Sequence, residues 1–259
     1  MAVTRAGTGN ITESLLLHGS VQALKEVSIF STVPGIVKNI IVSEGDRVRK
    51  NQVLAYIERD EAGLKFADAA IESTINGIVK EVHAEQGASI TPTLPLFHIV
   101  DMNSVEVVAY VPEKDIPRVK TGMTAEVRVI SYPDNKFKGR IYRLSPVVDP
   151  ASRTREARIL VPNWDHTLKP GMFGNTEIII RSLNDAVLIP YSAIIDRQER
   201  QVVYKVEEGK AVEITAEIEI VQGERAAIKS GIASGDMVIV IGQHNLRDGD
   251  PVTVTEEIE

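Results

Sequence analysis

Cysteine is absent from all 259 residues. That absence excludes disulfides, thiolate metal sites and cysteine nucleophiles together, and it leaves the redox compartment open. Aromatic residues make up only 5% of the chain, with a single tryptophan, Trp164. The apolar share is carried instead by Val, Ile, Leu and Ala, which favours several thin β domains over one large core. No stretch approaches the roughly 18 consecutive apolar residues of a transmembrane helix, and Met1-Ala2-Val3-Thr4-Arg5 opens no signal-like apolar region. Either the protein is cytoplasmic, or a targeting and anchoring segment lies outside this sequence. Basic and acidic residues are interleaved at a net charge of -7, so no positive field is offered to a phosphate backbone and nucleic acid is not expected as a partner.

What is present is period-two alternation. Val212, Ile214, Ala216, Ile218 and Ile220 alternate with Glu213, Thr215, Glu217 and Glu219, which reads as one strand with a wet face. Shorter runs of the same kind occur at 105–107, 125–129 and 176–178. Glu208-Gly209 between two such runs predicts a tight hairpin turn. Only two segments read as helical, Asp60 to about Thr74 with Asp60 as N-cap, and a short turn near Pro112-Glu113-Lys114-Asp115.

The chain also repeats itself. Gly35-Ile36-Val37-Lys38 recurs as Gly77-Ile78-Val79-Lys80, an offset of 42, and the same offset carries Gly45 onto Gly87, Val48 onto Ile90, Leu54 onto Leu96 and Ile57 onto Ile99. Each copy reads strand, glycine turn, strand. Neither copy could bury its apolar face alone, so the two are expected to pair into one small sandwich.

This duplicated unit resembles the lipoyl/biotinyl carrier fold. Asp149-Pro150-Ala151-Ser152-Arg153-Thr154, Leu168-Lys169-Pro170-Gly171-Met172, Val187-Leu188-Ile189-Pro190 and Ser230-Gly231-Ile232-Ala233-Ser234-Gly235-Asp236 narrow the likeness. In that order they resemble the periplasmic adaptor subunits, or membrane fusion proteins, of tripartite RND-type efflux pumps. The resemblance covers about residues 15–254. It implies a mainly β, elongated, multi-domain fold: a lipoyl-like (barrel-sandwich hybrid) domain at 28–101, a β-barrel domain at 102–183, and a membrane-proximal β domain combining 1–27 with 184–259. Most relatives insert a long α-helical hairpin between the lipoyl halves. Here only about residues 58–74 separate them, which is roughly 25 Å even as one continuous helix. A coiled-coil hairpin is thereby excluded, and a hairpinless member with a stub is expected.

The candidate sites follow. A carrier would display a modified lysine at a tight turn between the halves; the connection offers only Lys65, in mid-segment, so no lipoate, biotin or other cofactor is expected. His18, His83, His98, His166 and His244 lie at long intervals without ligand spacing, so no metal centre is expected. No nucleophile elbow or phosphate loop accompanies them, and no catalytic residues are assigned. Leu64, Lys65 and Phe66 at the stub are the expected contacts with an outer-membrane channel, the alternative being that Leu64 and Phe66 cap the small lipoyl core. Arg153 and Arg155 either contact a ring neighbour or transporter, or hydrogen-bond across the barrel to fix a turn.

The resemblance implies a non-enzymatic adaptor in the periplasm, anchored to the inner membrane by a segment outside this sequence. It would join an inner-membrane transporter to an outer-membrane channel and self-associate into a ring through head-to-tail contacts. An ABC-type exporter as partner, or a lipoyl/biotinyl carrier, are the other readings.

Overall fold

The computed structural model describes residues 1–61, 64, 65, 67–197 and 200–258. Among these there is no α-helix, only strands, turns and three short 3-10 segments, Glu113–Arg118, Tyr191–Ala193 and Gln243–Asn245. The chain divides into two units, Leu16–Ile178 and the pair Met1–Leu15 with Ile179–Glu259.

In the first unit the 42-residue repeat is a structural one. Gly45 donates its N–H to the Val79 carbonyl at 2.8 Å, and Gly87 donates to the Val37 carbonyl at 2.8 Å, so each half closes its turn on the other. Both glycines sit at positive φ, 89° and 85°, where a side chain would be strained. The core is built from pairs at the same offset: Ile29 with Ile71, Val37 with Val79, Val42 with Ala84, Val48 with Ile90, Leu54 with Leu96 and Ile57 with Ile99, all buried. One sheet is ordered Ser89–Ile90, Gly35–Ile40, Val53–Glu58, Ala69–Glu72 and takes strands from both copies. In the other, Gly77–Val82 pairs with Arg47–Val48 and with Pro95–Pro112.

The helix expected from Asp60 to Thr74 does not form. Asp60–Glu61 and Leu64–Lys65 make a two-stranded ribbon, and Ala69–Glu72 is a strand paired with Val53–Glu58 through Ile57↔Ala69 and Ala55↔Ile71. Burial of Ile71 in the sandwich core, with its neighbours Ala70 and Glu72 exposed, gives a pattern of two where a helix needs 3.6. Tertiary pairing overrides the helix-forming alanines.

Strand Pro95–Pro112 leaves the duplicated region and pairs with Thr154–Pro162, Val105 opposite Val161 and Val107 opposite Ile159. Thr124–Val129, Phe137–Leu144 and Thr154–Pro162 continue antiparallel. Two turns here share one form. Lys120-Thr121-Gly122-Met123 and Lys169-Pro170-Gly171-Met172 each place glycine at positive φ, 93° and 92°, and each lysine N–H meets the methionine sulfur, at 3.3 and 3.4 Å.

The second unit joins sequence-distant strands. Ala2–Arg5 runs antiparallel to Met237–Ile241 and parallel to Glu256–Glu257. Arg200–Glu207 and Lys210–Thr215 form the hairpin expected at Glu208-Gly209, both at positive φ. The run from Val212 to Ile220, which reads as one strand, is two. Lys210–Thr215 pairs with Arg200–Glu207, Glu217–Gln222 pairs with Arg225–Ser230, and buried Ala216 joins them while donating to the Gln201 carbonyl. Alternation persists across the break because both strands keep one face covered.

Candidate functional site

The connection between the duplicated halves ends in the ribbon, where Lys65 stands opposite Asp60 and Leu64 opposite Glu61. Phe66 lies outside the described residues. The base of the connection is fixed by Lys38, whose ammonium donates to Asp68 at 2.7 Å, and by Arg59, which donates to the Ala67 carbonyl at 3.1 Å. The Asp68 carboxylate raises the Lys38 pKa above its ordinary value by accepting that hydrogen bond.

Arg153 and Arg155 occupy a turn of the barrel region. Asp149 accepts the N–H groups of Ala151 and Ser152 at 2.7 and 3.1 Å, and those bonds hold its carboxyl below the usual range. Arg153 sits at φ 52° with its side chain exposed, and its carbonyl accepts from Glu113 N–H. Arg155 is half-buried and donates from Nε to the Ser145 carbonyl at 2.6 Å. The two arginines therefore differ: one is engaged within the fold, the other faces solvent.

Four polar clusters, three of them centred on a buried residue and one partly exposed, are not evident from the sequence. Glu106, 5% exposed, accepts from the Arg158 guanidinium and the Tyr142 hydroxyl, while Arg158 Nε also donates to Glu156 at 2.6 Å. Burial, then the bond to Glu106, raises the Tyr142 pKa. In the second unit Tyr204 is fully buried; its hydroxyl meets Glu213 at 2.7 Å and the Leu246 carbonyl at 2.8 Å, and Arg197 donates to it at 2.9 Å. Desolvation, reinforced by Glu213, pushes that phenol up to about 12. Asn163, 1% exposed, ties the Met102 and Leu168 carbonyls together through its amide nitrogen, 2.9 Å to each.

The fourth involves histidines. His83 and His98 approach edge to face with ring centres 5.0 Å apart, beside Glu81. The other three are apart from them: His18 bonds Asn175 at 3.0 Å and stacks on Phe173, His166 sits at φ 56° near Asn103, and His244 lies in a 3-10 turn. Sequence intervals alone conceal the pairing. Its one visible trace is the Glu81-x-His83 spacing, at the end of the strand Gly77–Val82.

Comparison with known proteins places this geometry. Three family models match successive parts of the chain: the CzcB-like barrel-sandwich hybrid domain at residues 25–101, the CusB-like β-barrel domain at 104–181, and the YknX C-terminal permuted SH3-like domain at 186–254. The nodulation protein NolF of Rhizobium meliloti is 26% identical over 76% of this chain and 54% of its own length. The putative membrane fusion protein SilB of Salmonella typhimurium is 31% identical over 66% of this chain and 40% of its own. The chain thus spans about half, or less, of the length of these curated relatives. The crystal structure of MacA from Actinobacillus actinomycetemcomitans superposes with a TM-score of 0.67, covering 90% of this chain and 97% of that one at 17% identity, a likeness of fold. Among the described residues no helix is long and apolar enough to cross a membrane.

Proposed function

The chain belongs to the membrane fusion protein family of efflux-pump adaptors, as a member without the α-helical hairpin, and from that premise we propose that it links an inner-membrane transporter of the RND type to an outer-membrane channel for export of drugs or other toxic compounds. The family consists of adaptors, not enzymes. The observation that carries the reading is the order of the three matched domains on one chain, with Ala2–Arg5 returning to pair with Met237–Ile241. Such a chain offers binding surfaces in series and leaves the energy to a partner.

In this reading the protein works in the periplasm, anchored at the inner membrane by a segment outside this sequence, and copies associate head-to-tail into a ring. The barrel region supports partner contact through exposed Arg153 and through large exposed apolar side chains, Ile130 at 75% and Trp164 at 77%. Arg155, tied to Ser145, orients the turn that presents Arg153. The ribbon's Leu64 and Lys65, together with Phe66 next in sequence, meet the channel in place of the missing hairpin.

Deletion of the gene in its native host tests this. It should sensitise cells to compounds that the wild-type gene on a plasmid again excludes. A copy carrying Leu64→Asp and Phe66→Asp should fail to complement while the purified variant melts as wild type. Unchanged sensitivity across a panel of metals, dyes and antibiotics in the deletion strain contradicts the adaptor role.

A further inference from the structure

The strand Gly77–Val82 and the strand Pro95–Pro112 pair so that His98 stands opposite Glu81. His83 follows the last residue of that first strand, Val82, and its ring reaches back to the Glu81 carboxylate. One nitrogen from each imidazole and one Glu81 oxygen all lie within 4.8 Å of one another. We propose that Glu81, His83 and His98 form a binding site for a borderline divalent cation of the zinc class.

The donor chemistry selects the ion. Two imidazoles and one carboxylate suit zinc and its late first-row neighbours, whereas magnesium and calcium take oxygen shells. A tetrahedral zinc with bonds of about 2.0 Å sets its ligand atoms about 3.3 Å apart. Glu81 Oε2 and His83 Nε2 already stand 3.3 Å apart. The remaining closure falls to side-chain rotation, which is open to both, since the side chains of His83 and Glu81 are 46% and 43% exposed.

A second shell is present as well. His98 Nδ1 lies 3.4 Å from the Ser28 hydroxyl and 3.7 Å from a Glu26 oxygen. A ligating histidine typically gives its other ring N–H to such a carboxylate, which orients the ring and raises its basicity. In the proposed site Nδ1 faces Ser28 and Glu26, and Nε2 serves as the ligating nitrogen. Lys80 donates to Glu26 at 2.8 Å and stands 3.5 Å from the Glu81 carboxylate. In the metal-free protein its charge balances the two carboxylates, and an arriving cation takes over at Glu81 while Lys80 stays on Glu26. Three protein ligands leave a fourth position for water or a transferable group, the arrangement of an exchanging site and not a closed structural one.

The test uses the untagged chain and does not depend on any role in efflux. Equilibrium dialysis against zinc chloride followed by metal analysis, with titration calorimetry, should give one bound equivalent that magnesium does not displace. His83→Ala and His98→Ala together should abolish it. Glu26→Gln should weaken binding by about tenfold, the usual effect of removing an outer-shell carboxylate. Because His83 is exposed, His83→Ala alone decides the matter if the double variant folds poorly: its metal-free melting temperature should match wild type while zinc retention is lost. Zinc retained equally by His83→Ala, or none held by the wild-type chain, overturns the site.

Discussion

Ser31 and Ser73, 42 positions apart, fold the same turn: each buried hydroxyl donates to the carbonyl two residues on, Val33 or Ile75, and accepts that residue's N–H. Removing either hydroxyl leaves a part-buried N–H and carbonyl without that partner. Ser31→Ala and Ser73→Ala should each cost about 1–2 kcal/mol. Chemical denaturation should show two nearly equal losses; a loss at only one position would show that the halves are not energetically equivalent.

Gly35 and Gly77 give a sharper version of the same symmetry. A Cβ at Gly35 would lie 2.4 Å from the Glu58 carbonyl oxygen, and one at Gly77 2.5 Å from that of Val100, again 42 residues on. Backbone cannot yield as a side-chain tip does, so alanine at either position should destabilise by about 1–3 kcal/mol. At Gly45 and Gly87 space is open and only the positive φ resists, so alanine there should cost about 1–2 kcal/mol. Thermal melts of the four variants test the ranking.

Tyr204 sets an alkaline limit. With its folded pKa raised from 10.0 to about 12, the native state holds a proton that the unfolded chain releases first. Its contribution is therefore complete below pH 10 and lost as pH rises through 12. Tyr204→Phe should lower stability at pH 7 by about 1–3 kcal/mol, because Glu213, Arg197 and the Leu246 carbonyl lose a partner. The variant should also flatten the fall in melting temperature between pH 10 and 12. A fall as steep as in wild type would remove Tyr204 as its source.

The Glu106–Arg158 pair is predicted to be costly to break and cheap to replace. Arg158→Ala leaves a buried carboxylate with only Tyr142 to satisfy it, and should cost about 3–5 kcal/mol. Glu106→Leu combined with Arg158→Leu should recover most of that loss. A double variant as unstable as the single one would mean that the ion pair itself, and not the orphaned charge, carries the energy.

The duplicated sandwich was legible because glycines and apolar positions recur at a fixed offset, and burial follows the same positions. The stub reads as helix because Ala67, Ala69, Ala70 and Ile71 favour one by propensity, and propensity carries no information on pairing with a distant strand. The corrective signal lay upstream of the glycines: Ile71-x-Ser73-Thr74-Ile75-x-Gly77 repeats Ile29-x-Ser31-Thr32-Val33-x-Gly35, which extends the repeat over the strand and its turn. The break at Ala216 left no trace, since alternation reports which face is covered and not which strand covers it. The meeting of His83 with His98 depends on strand register, which spacing along the chain does not encode.

The adaptor assignment is tested most directly by contact within the native cell envelope. A photoreactive residue placed at exposed Ile130 or Arg153 of the full-length gene product, activated in living cells, should form adducts both with an inner-membrane transporter and with a second copy of the same chain, identifiable by mass spectrometry. Recovery of the protein only from the cytosol, with no adduct to a transporter or to itself from either position, would contradict it.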